Sequence, residues 1–121
     1  MTAPNLANVS TITAKSLQAS LDTTLTTEIL LNAAASGKVF KVNSIIVANI
    51  DGSASADASV FITKSGGSPI AVASTIAVPA DASLTVVDKN TAIYLEEGDN
   101  IEAGASANGD LVITINYEEL S

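Results

Sequence analysis

The residues able to do chemistry in this chain are few, and the missing types narrow the field first. There is no His and no Cys. That removes Ser-His-Asp and Cys-His nucleophilic arrangements, disulfides, thiolate metal ligands and the common zinc sites. No phosphate-cradling G-x-x-x-x-G-K-[ST] and no dinucleotide fingerprint occurs, and Gly66-Gly67 is only a pair of turn glycines. Carboxylates remain. Glu96 and Glu97 could serve glycoside hydrolysis only by flanking a cleft. Adjacent on a turn, they are expected to splay apart. Asp51, Ser53, Ser55 and Asp57 alternate as oxygen ligands do in a calcium loop, but calcium takes about six to eight oxygens, usually with a bidentate carboxylate. No Glu follows at loop spacing, so an ordinary polar turn is expected. Among the aromatics, Tyr94 and Tyr117 are the plausible platforms for a sugar ring. Tyr94 alternates with Ile93 and Leu95 and is expected to face outward. These residues predict no enzyme, no catalytic or metal-binding residue and no cofactor.

Composition sets the frame that must hold whatever site exists. The chain has 121 residues, which suits one domain. Hydrophobic residues make up 47%, enough for a packed core, while aromatics are only 3%, so that core is built from Val, Ile, Leu and Ala. The formal net charge is −8, with five Lys and no Arg. Seven of the thirteen acids follow Leu95 with no base among them. Such a surface repels phosphate backbones and excludes nucleic acid as an expected partner. Its plain reading is a solvated face, and its sharper one a contact to a basic partner. Met1-Thr-Ala-Pro4 has neither a basic nor an apolar signal region, and no apolar run approaches the roughly 18 residues of a membrane span, so no membrane partner is expected.

The hydrophobic pattern has period two almost throughout. Residues 1–16 show little periodicity and are expected to form an extended N-terminal arm, with the sandwich domain over 17–121. Leu17 to Leu31 alternates as one long or broken strand. Asn32 to Lys38 turns at Gly37. Val39 to Asp51 is the organising strand, with Phe40, Val42, Ser44, Ile46, Ala48 and Ile50 on an expected core face. Its other face turns apolar at Ile45 and Val47, which need a cover from another strand, the N-terminal arm or a neighbouring subunit. Asp51-Gly52 ends it. Ala58 to Lys64 is a short strand. Ile70, Val72, Ser74, Ile76 and Val78 share one face of the next. Leu84 to Val87, Thr91 to Leu95, a strand through Ile101, Ala103 and Ala105, and Leu111 to Tyr117 complete the set, with Asn108-Gly109 as a hairpin signal. About eight short strands with polar turns and no helix predict an all-β chain. The expected fold is a single antiparallel β-sandwich, jelly-roll or immunoglobulin-like.

Val47-Ala48-Asn49 ends one strand. Pro79-Ala80-Asp81-Ala82-Ser83-Leu84 and Leu95-Glu96-Glu97-Gly98-Asp99-Asn100-Ile101 form two turns, and Leu111 to Glu119 alternates with Tyr and Glu near its end. In these pieces the chain resembles a loose group of small β-sandwich virion proteins of tailed, especially marine, bacteriophages. The resemblance spans roughly Leu25 to Leu120, and Asp81 stands where the group's turn has Gly. It implies a structural virion protein without catalysis, most readily a capsid decoration or cement protein. Tail, neck or fibre components come next, and a glycan-binding module behind them. The implied partners are the major capsid protein or tail and neck proteins, and further copies of the chain, with a trimer favoured. The expected contact residues are Thr2, Ala3, Pro4, Asn5, Leu6, Val9 and Ile12 of the arm, with Ile45 and Val47 of the organising strand.

Overall fold

A computed structural model describes residues 8–121 of the chain. Among the described residues, nine strands form two antiparallel sheets. They are β1 (Ile12–Ser20), β2 (Thr27–Leu31), β3 (Val39–Asn49), β4 (Ala56–Thr63), β5 (Ile70–Val78), β6 (Ser83–Val87), β7 (Ile93–Leu95), β8 (Asn100–Ala105) and β9 (Leu111–Leu120). One sheet runs β1-β9-β3-β6, with β7 also on β3, and the other runs β2-β8-β4-β5. β6 and β7 lie along the same edge of β3, pairing with Ile45 to Ala48 and with Phe40 to Val42. They are two halves of one strand interrupted by a 3-10 turn at Lys89–Thr91, which Asp88 caps. Counted so, eight strands alternate between the sheets, with β4–β5 the one connection that stays within a sheet. That is the strand order of a jelly roll, and the two alternatives the period-two pattern left open are thereby separated.

The organising strand spans Val39–Asn49, but its faces differ from the simple alternation. Phe40 and Val42 are buried as expected. The register on β9 then slips between Val42 and Ser44, leaving a bulge at Asn43. An extra residue flips every later side chain to the opposite face. Ile45 and Val47 therefore enter the core, fully buried, and Asn49 follows them, while Ser44, Ile46 and Ala48 are half-buried and Ile50 is exposed. The expected core face is correct for its first half and wrong for its second. The bulge lies opposite the gap between β6 and β7, so both strands beside it break step at one level.

The core joins Val42, Ile45, Val47, Leu111, Ile113 and Ile115 of one sheet to Leu30, Ala58, Val60, Ile101 and Ala103 of the other. Small Ala residues let the sheets approach in place of aromatics. Gly104 serves a closer approach: a Cβ there would overlap the Cα of Leu25 and the carbonyl oxygen of Thr24, where the β1–β2 connection crosses β8.

The N-terminal boundary also moves. Ile12–Ser16, expected in the arm, form the first part of β1, paired in register from Ile12↔Leu120 to Ser20↔Val112. Before it, Ser10 and Thr11 donate backbone N–H bonds to the Ser121 carbonyl. Leu17 to Leu31 is broken, with β1 and β2 in different sheets.

Candidate functional site

Three features stand out on this frame: polar locks at the strand ends, a groove on one outer face, and an uncovered sheet edge. The locks use the few buried polar side chains. Asn49, at the end of β3, donates through Nδ2 to the carbonyls of Ala54 and Val78, each at 2.9 Å, and its Oδ1 accepts from the Asp51 N–H. Asn32, past the end of β2, donates to the carbonyls of Lys38 and Leu95 at 2.9 and 3.0 Å and accepts from the Ser36 hydroxyl. Each amide ties strand ends from both sheets. Asp99, almost fully buried, accepts from the backbone N–H groups of Ser65 and Glu96 and from the Lys64 ammonium. Burial pushes its carboxyl up, but these three donors outweigh that and hold it below the usual carboxylate range. Gly98, with φ of 86°, makes the turn that aims Asp99 inward.

These locks absorb most of the candidate chemistry. Glu97 accepts from the Gly37 N–H at 3.0 Å, whereas Glu96 is exposed and lies 3.8 Å from the Lys64 ammonium. The two carboxylates serve separate partners and flank no common cleft. Asp51 accepts from the N–H and hydroxyl of Ser53 at 2.9 and 3.0 Å, so its loop is an ordinary Asx turn. Those bonds hold its carboxyl below the usual range. Tyr117 packs on Phe40, ring centroids 5.2 Å apart. Tyr94 faces outward and is 44% exposed, paired with Lys41.

The groove lies on the outer face of the β1-β9-β3-β6 sheet. About 630 Å³ in volume, it is lined by Lys41, Asn43, Ser44, Thr85, Lys89 and Glu118 among others. A second depression of about 390 Å³, reaching Lys15, Ser16 and Asn116, shares Asn43 and Glu118 with it. The β3 bulge makes this relief. Asn43 reaches Glu118 at 3.3 Å, and Asn116 donates to the Ser44 hydroxyl at 2.8 Å. On the opposite face of β9 from Glu118, in register with Phe40, Glu119 lies between Lys15 and Lys38 at 3.1 and 3.0 Å. Burial raises its carboxyl, and the two ammonium groups more than reverse that. The amides, hydroxyls and charged side chains of this groove can hydrogen-bond a polar ligand. The groove had no signal in the sequence, because a bulge brings its residues together.

The uncovered edge is β5. Its expected single face dissolves: Ile70, Val72 and Ile76 are 68%, 40% and 41% exposed, and Val78 alone of that set is buried. β5 slips register twice against β4, and Thr75 takes a φ of 53°. As the last strand of its sheet, β5 has no covering neighbour beyond it among the described residues.

The expected contact residues fare differently from one another. Thr2, Ala3, Pro4, Asn5 and Leu6 lie outside the described residues. Val9 is half-buried, and Ile12 is exposed at the start of edge strand β1. Ile45 and Val47 are corrected outright. The chain's own second sheet buries them completely, so they are core residues and no neighbour is needed to cover them. The exposed apolar set on β5 was missed, because alternation reports a face but not whether anything lies over it. No family model matches the chain, and no curated protein matches its sequence.

Proposed function

We propose that this protein is a non-enzymatic structural component of a tailed-phage virion, acting as a capsid decoration or cement protein through contacts to other virion proteins. One observation carries the reading. The residues that make up the resemblance are the residues that lock the fold. Asn49 ties β3 to the end of β5, Gly98 and Asp99 form the turn before β8, and Leu95 and Ile101 are fully buried. A motif spent on turn-locks marks a building block rather than a ligand site. Viral capsid domains are among the users of the jelly-roll order, which adds support at the level of architecture.

The test is physical. Particles stripped of the protein should lose resistance to heat and osmotic shock and regain it on adding the purified chain. Stripped particles of full resistance sink the cement role. Immunogold labelling confined to the tail or neck moves the protein to a tail, neck or fibre component. One observation favours a second reading, glycan binding: the outer groove with its Asn, Ser and Lys side chains lies in the same sheet as the exposed Tyr94. A glycan-array signal lost in Tyr94→Ala would support it, and a blank array would remove it.

A further inference from the structure

We propose that β5 is a self-association surface, along which two copies of this chain meet about a two-fold axis passing by Ser74. The first argument is self-complementarity. β5 reads Ile70-Ala71-Val72-Ala73-Ser74-Thr75-Ile76-Ala77-Val78, which is nearly the same from either end. An antiparallel partner centred on Ser74 sets Ile70 opposite Val78, Ala71 opposite Ala77, Val72 opposite Ile76 and Ala73 opposite Thr75. Every cross-strand pair is then apolar or small, with Val78 contributing backbone only, since its side chain stays in its own core. Val72 and Ile76, exposed to nearly equal extents, cover one another twice by symmetry.

The second argument is charge. From Ser65 to Ala80 no residue is charged, in a chain whose net charge is −8. Two copies repel each other over most of their surfaces, and this stretch lets them approach without opposing like charges. The third is the shape of the edge. β5 ends its sheet, and it bends where Thr75 turns its N–H inward to the Ser59 hydroxyl at 3.0 Å. Such a bend hinders the addition of an unrelated straight strand along the whole edge. It divides β5 into Ile70–Ala73 and Ile76–Val78, and the two-fold pairs the first segment of one copy with the second of the other. Leu84 and Val86 of β6 are half-buried, and β6 is the neighbouring edge of the other sheet. The same contact extends over them.

The arrangement is two-fold, in place of the trimer that the resemblance suggests, and it does not rest on the virion reading, since it concerns the purified chain alone. The absence of native Cys makes the test clean. Sedimentation velocity of the full chain should show a dimer fraction rising with concentration. Ile76→Lys should abolish it while leaving the unfolding midpoint nearly unchanged. Ser74→Cys should give a covalent dimer on mild oxidation. Ala71→Cys should not, because two copies of that residue lie about 20 Å apart across the axis. Ala71→Cys mixed with Ala77→Cys should cross-link. A monomer at every concentration overturns the proposal. So does an Ala71→Cys variant that links to itself as readily as Ser74→Cys, or a dimer that Ile76→Lys leaves intact.

Discussion

β3 and β5 share Val, Ile, Ala and a central Ser, with Phe40, Lys41, Asn43 and Asn49 added in β3, and they end in opposite environments. β3 lies between β9 and the β6–β7 pair under a second sheet, and its Ile45 and Val47 are fully buried. β5 ends its sheet, and Ile70, Val72 and Ile76 stay partly in water. Both strands also break register, β3 at Asn43 and β5 near Thr75. In β3 the bulge exchanges one covered face for another. β5 sends Val78 into the core, but along its outer edge it has no neighbouring strand among the described residues to cover the rest. Apolar content thus states what a strand could bury, and the neighbours decide what it does bury.

The sharpest test places one substitution in both strands. Ile45→Lys puts an ammonium in the core with no partner, and unfolding of the chain is expected, because that cost is comparable with a typical domain stability of about 5–15 kcal/mol. Far-ultraviolet circular dichroism and solubility would report it. The milder Ile45→Ala should cost about 2–5 kcal/mol in urea denaturation. A folded, soluble Ile45→Lys protein would break the comparison at once.

Next come the close approach at Gly104 and the polar locks. Gly104→Ala forces a methyl into the Thr24–Leu25 backbone and should cost about 2–4 kcal/mol by the same measurement. Asp99→Ala leaves the Ser65 and Glu96 N–H groups without their acceptor, for about 3 kcal/mol. Asn49→Ala, which frees the ends of both β3 and β5, should cost about 2 kcal/mol.

Acid should act through the same locks. The Asp99 carboxyl is held below its ordinary value of 3.8, so on acidification the unfolded chain takes up the proton first. Its stabilisation is fully present above that ordinary value and is lost as pH falls through the lower folded value. Glu119, lowered from 4.5 once burial is outweighed by Lys38 and Lys15, adds a slope in the same direction. Asp99→Asn should flatten the decline in urea midpoint below about pH 4. An unchanged slope would show that Asp99 is not the lock.

The smallest expected effect lies on β5. Ile76→Ala should change monomer stability by less than about 0.5 kcal/mol, against several for Ile45→Ala. Equal costs at the two positions would mean that β5 is covered in the monomer and would erase the contrast.

Much of the frame was legible because turn chemistry and period two are local. The end of β3 near Asp51-Gly52, the turn at Gly98-Asp99 and the terminal alternation of β9 all stand where the residues place them. The bulges were not legible. Asn43 and Thr75 carry no glycine, and the extra residue is defined only by counting against the partner strand. The groove shares this blind spot, since Asn43 and Glu118 meet across a slipped register. The start of β1 was missed for a related reason. Ile12–Ser16 alternate weakly and gain their strand state from pairing with β9.

By itself, the sequence determined that this chain is an all-β sandwich with an aliphatic core and no His- or Cys-based chemistry, because composition, turn residues and alternation act within a few residues of one another. Only the tertiary structure decided the jelly-roll order, the burial of Ile45 and Val47, and the exposure of β5. Each of these depends on which strand lies beside or above another, and the residues involved are far apart along the chain.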